Sequence, residues 1–212
     1  MSTRSSDSSI ERRAFKVDGL RLEARAAEGE SQRLVGHASV FNTEVDIGGW
    51  FLESVAPGAF RRAIAEDDVR ALFNHDANFV LGRNRAGTLR MGEDEIGLAI
   101  DCDPPDTQTI RDLVLAPIAR GDVSQMSIGF RVRKQEWDET GQILKRRILE
   151  VELFDVSPVT FPAFPTTDIA LRSLDEYRKA NPKGGGITTG NAGSIVRNRA
   201  QRGYESAGYH KA

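Results

Sequence analysis

The chain has 212 residues, 39% of them hydrophobic, a formal net charge of -2 and a single cysteine. That length suits one domain with polar ends. The near-neutral charge excludes a whole-molecule field that would draw in nucleic acid, and a lone cysteine excludes an intrachain disulfide.

Residues 1–13 are Ser-rich and charged and are expected to form a disordered tail, with no apolar run of the signal-peptide kind. From Phe15 the alternation of Phe15, Val17, Leu20 and Leu22 with polar residues reads as strand, and 34–41 reads as a stronger one. Gly48-Gly49-Trp50 is a turn. Pro57 is placed to open a short helix in which Phe60 and Ile64 share a face, ended by Asp67-Asp68. Strands are expected over 69–75 and 98–102.

A helix is expected over 107–120, capped by Asp106 or Thr107, disturbed by Pro117 and stopped by Gly121. Its apolar stretch 113–119 is far too short to span a bilayer, so a soluble cytoplasmic protein without membrane association is expected. Two further strand-like runs, 124–137 and 143–156, flank a hairpin turn at 138–141. Past 174 the chain becomes a Gly-rich, basic tail: residues 176–212 hold seven Lys/Arg and two Asp/Glu. The body, 14–174, is expected to be mainly β with flanking helices, an α+β fold, with antiparallel pairing.

Three segments carry reactive side chains. Asn74-His75-Asp76 ends the 69–75 strand, Ser124 and Ser127 lie at the start of the next long strand, and Asp155 sits in the apolar run Leu153-Phe154-Asp155-Val156. A hydroxyl, an imidazole and a carboxylate are the parts of a serine hydrolase. Among the three histidines, His210 lies in the tail and His37 sits mid-strand beside Gly36 and Ser39, where a structural role is the simpler reading. That leaves His75 as the general base, against the blander reading of a strand-end histidine bonded to nearby backbone.

For the nucleophile, strict alternation puts Ser124 with Met126, Ile128 and Phe130, and Ser127 with Gln125, Gly129 and Arg131. Parity therefore favours Ser124 opposite the faces of His75 and Asp155. A β-bulge, for which Gly129 is a natural place, would reverse that to Ser127. Asp155 among apolar neighbours needs a partner, either a structural ion pair or the histidine it would orient. Cys102 reads as a small core residue, Arg146-Arg147 as a solvated pair, and no spacing suits a metal or a phosphate-binding loop.

Taken in order, Gly36-His37-Ala38-Ser39, Gly49-Trp50, Pro57-Gly58-Ala59-Phe60, Leu72-Phe73-Asn74-His75-Asp76, the run from Gly121 through Met126-Ser127-Ile128-Gly129-Phe130, and the run from Leu153 through Asp155-Val156-Ser157-Pro158 to Ala163 resemble the prohead (head maturation) serine proteases of tailed bacteriophages. The resemblance implies a fold related to the herpesvirus assembly protease, assemblin: a β-barrel surrounded by short helices. It implies a serine endopeptidase that cleaves capsid scaffold segments and itself during head maturation. His75, Ser127 and Asp155 fall on the family's histidine, serine and acid, which shifts the choice from Ser124 to Ser127. In the herpesvirus relatives the third member is a histidine, so Asp155 departs from them.

No cofactor is implied. The implied partners are the major capsid protein with its scaffold segment, the portal and a second copy of the chain, with no nucleic acid and no membrane. The place of action is the assembling prohead in the bacterial host cytoplasm. For the oxyanion, the backbone amides of Ser127-Ile128-Gly129 are candidates, as are Arg131, Arg133, Arg146 and Arg147. The competing classes are a catalytically inert assembly protein of the prohead and a nucleic-acid-binding barrel. The charge balance and the lack of a basic-aromatic pattern argue against the second.

Overall fold

The computed structural model describes residues 10–15, 20–24, 32–161 and 167–182. The expected Gly-rich basic tail past 182, and His210 within it, lie outside the described residues. Within them the chain is mainly β with a few short helices.

One sheet has the order β1 (Glu11–Phe15), β10 (Gln125–Asp138), β11 (Lys145–Val159), β5 (Phe51–Val55), β4 (Val45–Ile47), with β6 (Arg70–Phe73) also on β11 and β7 (Asp76–Arg83) on β6. The second has the order β2 (Arg21–Glu23), β3 (Arg33–Val40), β9 (Gly97–Cys102), β8 (Leu89–Glu93). Neither sheet closes on itself among the described residues, so the barrel expected from the resemblance is not formed by these pairings. The apolar core draws on both sheets, with Leu34, Leu98 and Ile100 from one, and Ile128, Phe130, Val151 and Leu153 from the other.

The long β10–β11 hairpin organises the larger sheet. Its first half is buried because β10 is paired on both edges, with β1 opposite 126–130 and β11 on the other side. β11 carries two partners in turn along one edge. Residues 145–148 pair with β5 and 155–156 with β6, both in parallel. The antiparallel pairing expected from the sequence therefore gives way to parallel pairing at two places. The segment between β5 and β6, which carries α1 (Arg61–Glu66), runs back so that both strands enter in the direction of β11.

Pro57 lies ahead of α1 and not at its first turn. Phe60 caps the helix and donates its amide to Glu93 Oε1 at 2.8 Å. Asp67 ends the helix in extended conformation and accepts from the Leu153 amide at 2.8 Å, tying the helix end to β11.

The helix expected over 107–120 is present with a defect. Thr107 caps it, accepting from the Ile110 amide at 3.3 Å. α2 (Gln108–Ile110) then passes through a π-turn at Arg111–Leu115 into α3 (Ala116–Arg120). Pro117 has no amide to donate one turn back, and the widened turn sits directly before it. Gly121, at φ 83°, closes the helix in the left-handed conformation. α4 (Thr167–Ala180) lies across the expected boundary at 174, with Leu174 buried beside Ile47, Phe51 and Leu144.

At the other end the expected tail overlaps β1. Glu11 and Arg13 are buried, not solvated. Arg13 bonds Glu53 and Glu11, and Arg146 bonds Glu53, Glu11 and Gln135. Arg146 is 2% exposed, which corrects its reading as half of a solvated pair. Burial alone would raise the Glu53 carboxyl, but the Arg13 and Arg146 charges overcome it and hold the group below its ordinary value. Two arginines and two glutamates in mutual contact leave no net charge to bury.

Candidate active site

His75 is held by a tight turn rather than by a strand end. Phe73 pairs with Asp76, so Asn74 and His75 are the two central residues of the β6–β7 hairpin. Both have positive φ, 55° and 57°. A two-residue hairpin loop of type I′ requires positive φ at both central positions. Asn and His are among the non-glycine residues that tolerate it best.

Asn74 fixes the turn to the end of β11. Its amide donates to Pro158 O at 3.0 Å, its Nδ2 to Thr160 Oγ1 at 3.1 Å, and its Oδ1 accepts from the Thr160 amide at 2.8 Å. The corner that carries the imidazole is thereby tied to the strand that carries the acid.

Ser127 and Asp155 reach the same face through an irregularity. Across β10 and β11, Ser127 is opposite Ser157 and Gly129 opposite Asp155, but Phe130 is opposite Leu153. Phe154 is the extra residue of a bulge. It turns Asp155 away from the Leu153 face and onto that of Ser127. Simple alternation, which pointed to Ser124, fails at that residue. Gly129 has a second role here. A Cβ at 129 would stand 2.2 Å from Asp155 Oδ2, so only glycine lets the carboxylate approach β10.

The resulting geometry is a continuous chain of short hydrogen bonds. His75 Nε2 is 2.7 Å from Ser127 Oγ, and His75 Nδ1 is 2.6 Å from Asp155 Oδ1. An ionised carboxylate only accepts, so the ring proton belongs on Nδ1 and Nε2 is left to accept from the serine hydroxyl. Ser157 Oγ donates to the same Asp155 Oδ1 at 2.6 Å. Ser127 and Ser157 are fully buried, and the His75 side chain is 7% exposed.

Ser124, by contrast, is exposed in the segment before β10. His37 is occupied elsewhere. Its Nε2 is 2.7 Å from Asp94 Oδ2, and the Asp94 carboxyl is lowered to about 2 by the Gly97 amide first and by His37 second.

The expected oxyanion donors fare differently. The amides of Ser127, Ile128 and Gly129 lie within the sheet between β1 and β11, where the ladders engage them. Arg131 and Arg133 pair with Glu152, and Arg146 belongs to the buried cluster on the other face of β10. Cys102 is buried with its Sγ donating to Leu81 O at 3.4 Å, and burial first, then Asp103, pushes its thiol up to about 12. It is a core residue and no nucleophile. Among the described residues no group of three or more His, Cys, Asp or Glu is arranged to hold a metal ion. No helix among them is long and apolar enough to cross a membrane.

The sequence reading missed Ser157 and the anchoring by Asn74. Ser157 was visible in principle, since it follows Asp155 by two residues and an extended strand puts such a pair on one face.

The family described as caudovirus prohead serine protease matches residues 20–180, which spans every element of this site. The chain belongs to that family. The prohead protease of Enterobacteria phage HK97 is 32% identical over 155 residues, covering 70% of this chain and 64% of the relative. The prohead protease of Escherichia phage T5 is 32% identical over 91 residues, covering 43% of this chain and 40% of the relative. The chain thus spans under two thirds of the length of these relatives. No solved structure matches it with significance.

Proposed function

We propose that this family member is an active serine endopeptidase of the Ser-His-acid type, acting in head maturation inside the assembling prohead. The observation that carries the reading is the hydrogen-bond chain from Ser127 Oγ through both nitrogens of His75 to Asp155 Oδ1. Ser127 Oγ attacks the scissile carbonyl carbon as its proton passes to His75 Nε2. His75 then delivers that proton to the leaving amine, and an acyl ester remains on Ser127. Water, deprotonated by the same nitrogen, hydrolyses the ester and restores the serine. Asp155 keeps the Nδ1–H tautomer and stabilises the imidazolium formed in each half-reaction. Because Ser127 is fully buried, substrate engagement has to open a path to its Oγ.

The substrates in this reading are the scaffold segments of the major capsid protein and the chain itself. The capsid protein is therefore the primary partner, with the portal and a second copy of the chain as contacts within the prohead.

Co-expression with the capsid protein of the same phage tests this. Wild type should process the capsid protein, Ser127→Ala should lose at least about 10³-fold of the rate, and Ser124→Ala should process normally. Loss in Ser124→Ala with retention in Ser127→Ala would overturn the nucleophile. A well-folded wild type that cleaves nothing would favour the inert assembly protein.

A further inference from the structure

We infer that Ser157 is a positioning residue of this site, a fourth member that fixes the rotation of the Asp155 carboxylate. The inference rests on the proposed catalytic reading. Asp155 Oδ1 receives two donors at 2.6 Å, His75 Nδ1 and Ser157 Oγ. The terminal torsion of an aspartate is soft and roughly two-fold, so one bond to the histidine does not define which way the carboxylate plane faces.

Ser157 removes that freedom from within the same strand. It lies two residues on from Asp155, on the same face, directly opposite Ser127 in register. It is fully buried, so its hydroxyl would lose a hydrogen bond without recourse to water if the carboxylate turned away. Gly129 leaves the room on the opposite strand into which Oδ2 is turned. Hydroxyl and glycine together make a socket in which Oδ1 is aimed at the imidazole. Ser157 acts on the nucleophile only through Asp155 and His75.

The test uses the full chain and a fluorophosphonate probe, in which the Ser127 oxygen displaces fluoride at phosphorus and the hydroxyl proton passes to His75. Ser157→Thr and Ser157→Val fill the same volume and differ in one hydroxyl. The threonine variant should be labelled at Ser127 within a few-fold of wild type. The valine variant should be labelled about ten- to a hundredfold more slowly, the range for one hydrogen bond to a charged group. In an Asp155→Asn background the difference between threonine and valine should shrink to within about twofold, since the group being positioned is then neutral.

Equal labelling of the two variants, or a difference that persists unchanged in the Asp155→Asn background, would overturn the inference and leave the catalytic reading intact. Failure of folded wild type both to be labelled at Ser127 and to process the capsid protein would instead remove the catalytic reading itself. Melting temperatures of the two variants separate a loss of fold from a loss of rate.

Discussion

β10 carries a buried polar cluster on each face, and the two are built on opposite principles. On the face of Ile128 and Phe130, Arg13, Glu11, Glu53 and Arg146 are four charges in a mutually compensating set. Most of their donors and acceptors are engaged by one another, and the product is a fixed joint between β1, β5 and β11. On the face of Ser127 and Gly129, one carboxylate, Asp155, is joined to an imidazole and two hydroxyls. That set is strung in a line, from Ser127 through His75 to Asp155 and Ser157. A mutually saturated set suits a rigid joint, whereas a linear chain that ends in a hydroxyl suits the proton transfer proposed for Ser127 and His75.

Mutation should separate the faces. Next to the loss expected of Ser127→Ala, the largest effect belongs to Asp155→Asn, which should cost activity within about ten- to a hundredfold of the serine variant. Its urea midpoint should stay close to wild type. A rate near wild type would reduce Asp155 to a structural acid.

Arg146→Met should act in the opposite sense. Leaving Glu53 and Glu11 short of a partner in the interior should lower unfolding free energy by about 3–5 kcal/mol, measured by urea denaturation. Any protein that remains folded should still label at Ser127. If stability is unchanged, the cluster is no joint.

Gly129→Ala sits between the faces in kind. Its methyl would meet Asp155 Oδ2, so a loss of about 1–3 kcal/mol in stability is expected together with a fall in labelling rate. A fully active, fully stable alanine variant would mean that the carboxylate does not need the glycine.

The smallest effect is the pH dependence of the charged face. Glu53 is held below its ordinary value of 4.5, so its stabilisation is complete above that pH and is lost as the pH falls through the lower, folded value. Denaturation midpoints should therefore decline below pH 4.5, and Glu53→Gln should flatten that decline.

How far the sequence could be read differed from element to element for local reasons. The strands at 34–41 and 98–102, the capped helix from Thr107 and the long hairpin were legible because each is announced by its own alternation, cap or turn residues. β4, β7 and β8 were not. They are short or carry exposed residues on both faces, and their strand state comes from the neighbours they pair with. β1 was hidden for the same reason. Glu11-Arg12-Arg13 is a polar tail by composition, and it is a strand only because distant partners receive it: Glu53 lies 40 positions from Arg13, and Arg146 lies 135 from Glu11.

The candidate site divides in the same way. The residue types His75, Ser127 and Asp155, and the family to which the chain belongs, were determined by the sequence, since the ordered set of motifs is a local property of the chain. Which serine faces the imidazole was decided only by tertiary structure. One extra residue at Phe154 reverses the face of everything after it along β11, and alternation along a single strand carries no information about where its partner bulges. The same holds for Ser157. Its hydroxyl is an ordinary polar filler until the bulge, the open space at Gly129 and the corner at Asn74-His75 converge on one carboxylate.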